Sequence, residues 1–201
     1  MPPAPKHKDN IVDAAITLFR QRGYSATGLN DIVSASGAPK GSVYHYFPDG
    51  KASIAAAAVE TAGERVTATL EKIAAEKSTV GDVLKAHAAL LGQWLRDSEF
   101  RDGCPITTVL LEMAPKDRVV TVAGRHAFAA RNNLLSERLV AEGWTSEAAD
   151  QMAMLCTCAL QGALVQARID RSARPLEQVA ATLAEQLNRQ HMAQEKSSPC
   201  H

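Results

Sequence analysis

Residues 40–47 read KGSVYHYF, which sets a cation, a hydroxyl, an imidazole and two phenols within eight positions. Aromatic residues make up only 4% of the chain, yet three of its seven Phe and Tyr side chains stand between 44 and 47. Ammonium, imidazole and phenol groups donate to phosphate oxygens, while hydroxyls and amides can meet base edges. On a helix turning about 100° per residue, Val43 and Phe47 fall on one side. Gly41, Ser42 and His45 fall opposite, with Lys40, Tyr44 and Tyr46 flanking. Glycine weakens a helix by about 1 kcal/mol, so Gly41 suits a place where a partner comes close to the backbone. Phe47 reads as core, whereas spacing alone leaves Tyr44 and Tyr46 open between core and surface.

Other chemistries find little support. The four cysteines, Cys104, Cys156, Cys158 and Cys200, have no framework spacing. Cys156 and Cys158 would lie about 200° apart on a helix and cannot grip one metal together, so buried free thiols are expected. Dinucleotide, phosphate-loop, nucleophile-elbow and zinc-protease patterns are absent from the sequence, as is a pair of Glu-x-x-His motifs. His87, His126 and His191 stand alone in separate segments, and His87, on an apolar stripe, reads as a core histidine. No enzymatic activity, metal or cofactor is expected. Net charge is zero, but residues 1–51 carry six Lys and Arg against four acids, and the remainder carries sixteen against eighteen. A composition of 46% hydrophobic and 22% charged residues is that of an ordinary soluble protein. With no apolar run of about eighteen residues and no apolar leader, the expectation is no membrane span and a cytoplasmic location.

Positioning these groups falls to helices, because periodicities of three and four run through almost the whole chain. Ile11, Ala14, Ala15, Leu18 and Phe19 form one apolar stripe that stops at Gly23. Thr27 is expected to cap a second short helix carrying Leu29, Ile32 and Val33 inward and ending at Gly37. Pro39 then suits the first position of a third, two-turn helix ending before Pro48. Asp49 is read as the N-cap of a long fourth helix, and five more follow, the last two at about 146–170 and from Pro175. Both of these carry leucines on faces that a chain of this size does not easily cover, which implies a second copy. The fold expected is all-α, three short helices followed by six longer ones. Two short helices joined by a glycine-containing turn have the layout of a helix-turn-helix.

Residues 6–60 resemble the DNA-binding domain of TetR/AcrR-family regulators. The resemblance rests on AAITLFRQRGYSATGLNDIV and on SGAPKGSVYHYF followed by a lysine, many positions in fixed order. APKGSVYHYFPDGK, with one residue more before Lys51 than many relatives, is similar to the LmrA/YxaF-type branch, and so is GCPITTVLLEMAP.

The resemblance implies a transcriptional regulator that binds a pseudo-palindromic stretch of double-stranded DNA as a homodimer. Repressor is the default, released by a small-molecule effector, although an activator would carry the same residues. Lys40, Gly41 and Tyr44 match positions near bases, and Ser42 matches a variable position able to read sequence. His45, Tyr46 and Lys51 match phosphate-contacting positions, and Thr27 matches a hydroxyl that caps helix two and meets the backbone. Residues 61–192 would form the effector and dimerisation domain, with 193–201 as a disordered tail. Effector-lining candidates are Trp94, Phe100, Cys104, Met113, Phe128, Trp144 and Met152, with Arg125 and Gln161 as possible polar anchors. Leu155, Leu160, Leu164, Leu176, Leu183 and Leu187 are expected at the dimer interface. The competing reading is a helical scaffold whose helix-turn-helix no longer meets DNA, which the neutral net charge favours.

Overall fold

The stripe on the first helix does what its spacing requires. In a computed structural model that describes residues 5–197, with side chains over 7–189, α1 (Pro5–Arg22) buries Ile11, Ala15 and Phe19 completely. It ends where Gly23 takes a φ of +81°, a left-handed conformation that costs glycine nothing. Next come α2 (Leu29–Ser36), α3 (Lys40–Tyr46), α4 (Lys51–Glu76), α5 (Val80–Asp97) and α6 (Pro105–Met113). The order closes with α7 (Arg118–Ala141), α8 (Ser146–Asp170) and α9 (Arg174–Ser197). Among the described residues there are nine α-helices and no strand.

Three expectations about helix ends are corrected. Gly28, not Thr27, occupies the N-cap of α2, and its N–H donates to Asp31 Oδ2 at 2.9 Å. α4 opens at Lys51 behind a left-handed Gly50 rather than at Asp49. α9 continues to Ser197, because Ala193, Gln194, Glu195 and Lys196 are all good helix formers. Positions 198–201 of the expected tail, with Cys200, lie outside the described residues.

Packing divides the chain into two units, and not by a single cut near residue 60. The first joins the residues through Arg65 to Gly103–Phe128, and the second joins Val66–Asp102 to the residues from Ala129 onward. The first unit surrounds one core in which Phe19, Ile32, Val43, Phe47, Ile54 and Val59 meet Ile106, Val109 and Val120. Thus α6 and the start of α7 pack with the N-terminal helices, although the sequence places them mid-chain.

In the second unit α5 and α8 both pack on α9. Close approach is secured by small residues: a Cβ on Gly81 would stand 3.0 Å from Ala184 Cβ, and one on Gly92 would stand 2.9 Å from Ala173 Cβ. Thr79 caps α5 by accepting from Asp82 N at 3.1 Å, and Thr145 caps α8 by accepting from Ala148 N at 3.4 Å. By length and composition α8 could cross a membrane, but its Ala149, Ala153, Cys156, Leu160 and Ala167 side is buried in its own unit.

Candidate nucleic-acid interface

The turn between α2 and α3 is built by small residues. Gly37 takes φ +63°, and Ser36 Oγ donates to Val33 O at 2.9 Å while accepting from Ala38 N at 3.2 Å. Pro39 then holds the N-cap of α3, one position earlier than expected. The short helix leans on the core through Val43 and Phe47, both buried.

Its outer side carries Lys40, Gly41, Tyr44 and His45, all exposed, with the Tyr44 side chain half open. Tyr46 is half-buried against the core, its ring edge-on to His45 with centroids 5.0 Å apart. A Cβ added to Gly41 would meet nothing within 4 Å, so packing inside the chain does not explain the glycine. Ser42 is a correction: it is buried, not opposite the core. The covered arc is centred between Val43 and Tyr46, and it is wide enough to include Ser42 on its flank.

Thr27 is a second correction. It is fully buried, and its hydroxyl donates to Gly23 O at 2.8 Å, so it bonds its own loop. Lys51 is a third. Its ammonium donates to Tyr24 O at 3.0 Å and Thr27 O at 2.9 Å, and lies 3.9 Å from the centre of the Tyr24 ring. The cation thus closes the α1–α2 loop. Glu112 on α6 holds the same loop from another side, accepting from Tyr24 N and Ser25 N at 2.7 Å each. Burial raises its carboxyl pKa, but hydrogen bonds from Ser25 and Tyr24 and the charge of Lys51 bring it below the usual value. No motif announced Glu112; the available signal was one charged residue in the otherwise uncharged helix PITTVLLEM.

Two family descriptions match this chain. Residues 11–58 match the bacterial regulatory proteins of the TetR family, and residues 81–182 match the C-terminal domain of LmrA/YxaF-like transcriptional regulators. An uncharacterized HTH-type transcriptional regulator of Mycobacterium tuberculosis is 36% identical, over 86% of this chain and 89% of its own length. The chain belongs to the TetR family. The HTH-type transcriptional repressor ComR of Escherichia coli is 29% identical, over 87% of this chain and 86% of its own. In fold, the TetR-family chain is similar to a regulatory protein TetR from Rhodobacter sphaeroides, with a TM-score of 0.77 at 21% identity, covering 88% of this chain and 96% of that one.

In the first unit of this TetR-family chain, Cys104, Met113 and Phe128 are partly buried against the core. In the second, Trp144 is buried, Phe100 and Met152 are half-buried, and Trp94 is 45% exposed. The candidates for the effector site are therefore divided between the units, three and four. The turn carrying Phe100, which has φ +61°, is held by Arg168 through Nη2 to Arg101 O at 2.7 Å. Arg125 is exposed, and Gln161 is half-buried on α8.

The second unit also holds polar groups inside. His87 on α5, Arg131 on α7 and Thr157 on α8 are each more than nine-tenths buried. Burial, and then the charge of Arg131, lower the His87 pKa to about 4, so the ring is neutral near pH 7. Among the described residues, Thr157 Oγ1 and Trp144 Nε1 are buried without a hydrogen-bond partner. Cys156 is buried and its thiol is pushed up to about 12, but Cys158 is exposed, which corrects the expectation for that thiol.

Five of the six leucines expected at a dimer interface, Leu160, Leu164, Leu176, Leu183 and Leu187, are buried within the chain itself. They fill the packing of α8 and α9 in their own unit. Leu155 is different, 48% exposed beside Met154, Val165 and Ile169 along the outer side of α8. The helix is apolar on two faces as its sequence indicated, and the chain covers one of them.

Proposed function

We propose that this TetR-family regulator represses transcription by binding a pseudo-palindromic duplex as a homodimer and leaves it when a small molecule binds the second unit. One observation carries the DNA reading: Lys40, Gly41, Tyr44 and His45 stand exposed on a helix that follows α2 through the left-handed turn at Gly37. Lys40 and His45 would meet phosphates, Tyr44 and the bare backbone at Gly41 the bases, and the half-buried Tyr46 would reach a phosphate from the flank. Two such helices, about 34–36 Å apart or a multiple of that, would enter successive major grooves. The exposed apolar side of α8 supports pairing of two copies, since lone large apolar patches on soluble proteins mark interaction surfaces. Such a protein acts in the cytoplasm, where its DNA is.

The effector reading is supported by the buried groups of the second unit. A core of alanine and leucine has no need of Thr157 and Trp144 with unmatched polar atoms, whereas a bound molecule would supply their partners. α4 runs without a break from Lys51, five residues after α3, to Glu76 in the second unit, so one helix belongs to both. Effector and DNA would then oppose each other through two states, by about 1–3 kcal/mol of coupling.

The test is salt dependence. Affinity for a duplex retained by the protein from a randomised library is measured between 50 and 200 mM salt, values chosen as about the range where phosphate contacts show. Log affinity should fall linearly with log salt, by about 0.9 per phosphate neutralised. Affinity indifferent to salt would favour the scaffold reading instead.

A further inference from the structure

The six-residue loop between α1 and α2 is tied down at most of its backbone polar groups. Gly23 N bonds Phe19 O at 2.9 Å, Thr27 N bonds Tyr24 O at 3.1 Å, and Gly28 N bonds Asp31 at 2.9 Å. Lys51 takes the Tyr24 and Thr27 carbonyls. The Tyr24 and Ser25 amides go to Glu112, one to each carboxylate oxygen. The segment leading into α6 has a second hold on the same helix end, where Gly103 N donates to Arg20 O at 3.0 Å.

Gly23 is shaped for this grip. A Cβ there would come within 2.5 Å of Glu112 Oε1, and its φ of +81° would strain any other residue. A glycine that served only the turn would need the dihedral but not the space. Charge-assisted bonds of 2.7 Å to two successive amides are short and directional, so they fix the loop rather than merely cover it. α2 starts one residue after Gly28, and the turn at Gly37 passes its orientation to α3.

We propose that Glu112 is a positioning residue for operator recognition, setting α2 and α3 through the Tyr24 and Ser25 amides. The inference rests on the DNA-binding reading above. It also gives the regulatory half a hold on the DNA-binding half, because residue 112 lies within the matched C-terminal domain, 81–182, while packing in the first unit. Movement of α6 carries the loop with it.

Simple electrostatics makes the opposite forecast. Removing a carboxylate from a DNA-binding unit should, by charge alone, strengthen binding to any duplex. Positioning requires weaker binding to the operator only. The experiment uses full-length protein, deuterated and labelled with nitrogen-15, as wild type, Glu112→Gln and Glu112→Ala. Three readings are taken: the amide resonances of Tyr24 and Ser25, the melting temperature, and affinity for two duplexes. One duplex carries the sequence that the wild type retains from a randomised library, and the other is its scramble.

Glu112→Ala should move both amide resonances and weaken the selected duplex about 30-fold, with the scramble unchanged or slightly tighter. Glu112→Gln keeps one acceptor and should fall between, at about 5-fold. Should Glu112→Ala fail to fold, Glu112→Gln carries the test. The proposal is overturned if the resonances move while affinity for the selected duplex stays within about 2-fold of wild type, or if both duplexes weaken together. If the wild type retains no sequence at all, the DNA-binding reading falls and this proposal with it, while the amide resonances still report whether the grip exists.

Discussion

Leu164 and Val165 are neighbours on α8, turned about 100° from each other, 8% and 51% exposed, and they separate self-association from internal packing. A glutamate at 164 places a charge in the chain's own core. Burying a leucine is worth about 1.5–3 kcal/mol and an unpaired buried charge costs several more, which together approach the whole stability of a domain. Leu164→Glu should therefore unfold the second unit. A glutamate at 165 costs the single chain almost nothing. In a symmetric pair it forfeits about 1 kcal/mol of apolar burial per copy and adds about 2 kcal/mol of carboxylate desolvation. Over two copies that is about 6 kcal/mol, or roughly 10⁴ in dissociation constant. Sedimentation equilibrium and circular dichroism read the two quantities separately. Val165→Glu should give a folded monomer, and Leu164→Glu a loss of helix signal. A dimer of undiminished strength from Val165→Glu would refute the assignment of the outer α8 side to pairing.

Four further outcomes follow from named residues. His87 binds a proton below about 4 when folded but at about 6.5 when unfolded, so between these values the unfolded chain holds more protons and stability rises with pH. Urea unfolding should show wild type losing about 2–3 kcal/mol between pH 7 and 4.5, with His87→Leu losing that much less over the same range. Lys51→Ala should lower the melting temperature while leaving the slope of log affinity against log salt within about 0.5 of wild type, because its ammonium closes the α1–α2 loop. Tyr44→Ala should weaken the selected duplex about tenfold without altering the melting point, whereas Ser42→Ala, at a buried site, should leave the preferred sequence unchanged in a repeat selection.

The helices were legible because each needs one apolar stripe, and the stripe on α1 is buried along its whole length. α3 was legible in its exposed half, Lys40, Gly41, Tyr44 and His45, and misread at Ser42, which is buried. A helical wheel gives angles but not the width of the covered arc, and a seven-residue helix held in a small unit is covered over more than its apolar residues mark. The bonds that Thr27 and Lys51 make inside the chain were not legible for a related reason. Their hydrogen bonds run to carbonyls of the α1–α2 loop, and no residue type signals which backbone group a side chain will reach. On α8 and α9, composition told that apolar faces exceed one core, but not which leucines face inward. Gly81 admits Ala184 of α9 closely, and Leu160, Leu164, Leu176, Leu183 and Leu187 are buried in the same unit. Glu112 could not be found from spacing, because its partners lie 88 and 87 residues away.

The most direct test of the whole account is selection from a randomised duplex library by the purified full-length protein, with the retained molecules sequenced. The account predicts one enriched motif with two inverted half-sites, their centres one helical turn or a multiple apart, lost in a Lys40→Ala, Tyr44→Ala double variant that still folds. Retained duplexes with no common motif, or a motif that survives in the double variant, would contradict it.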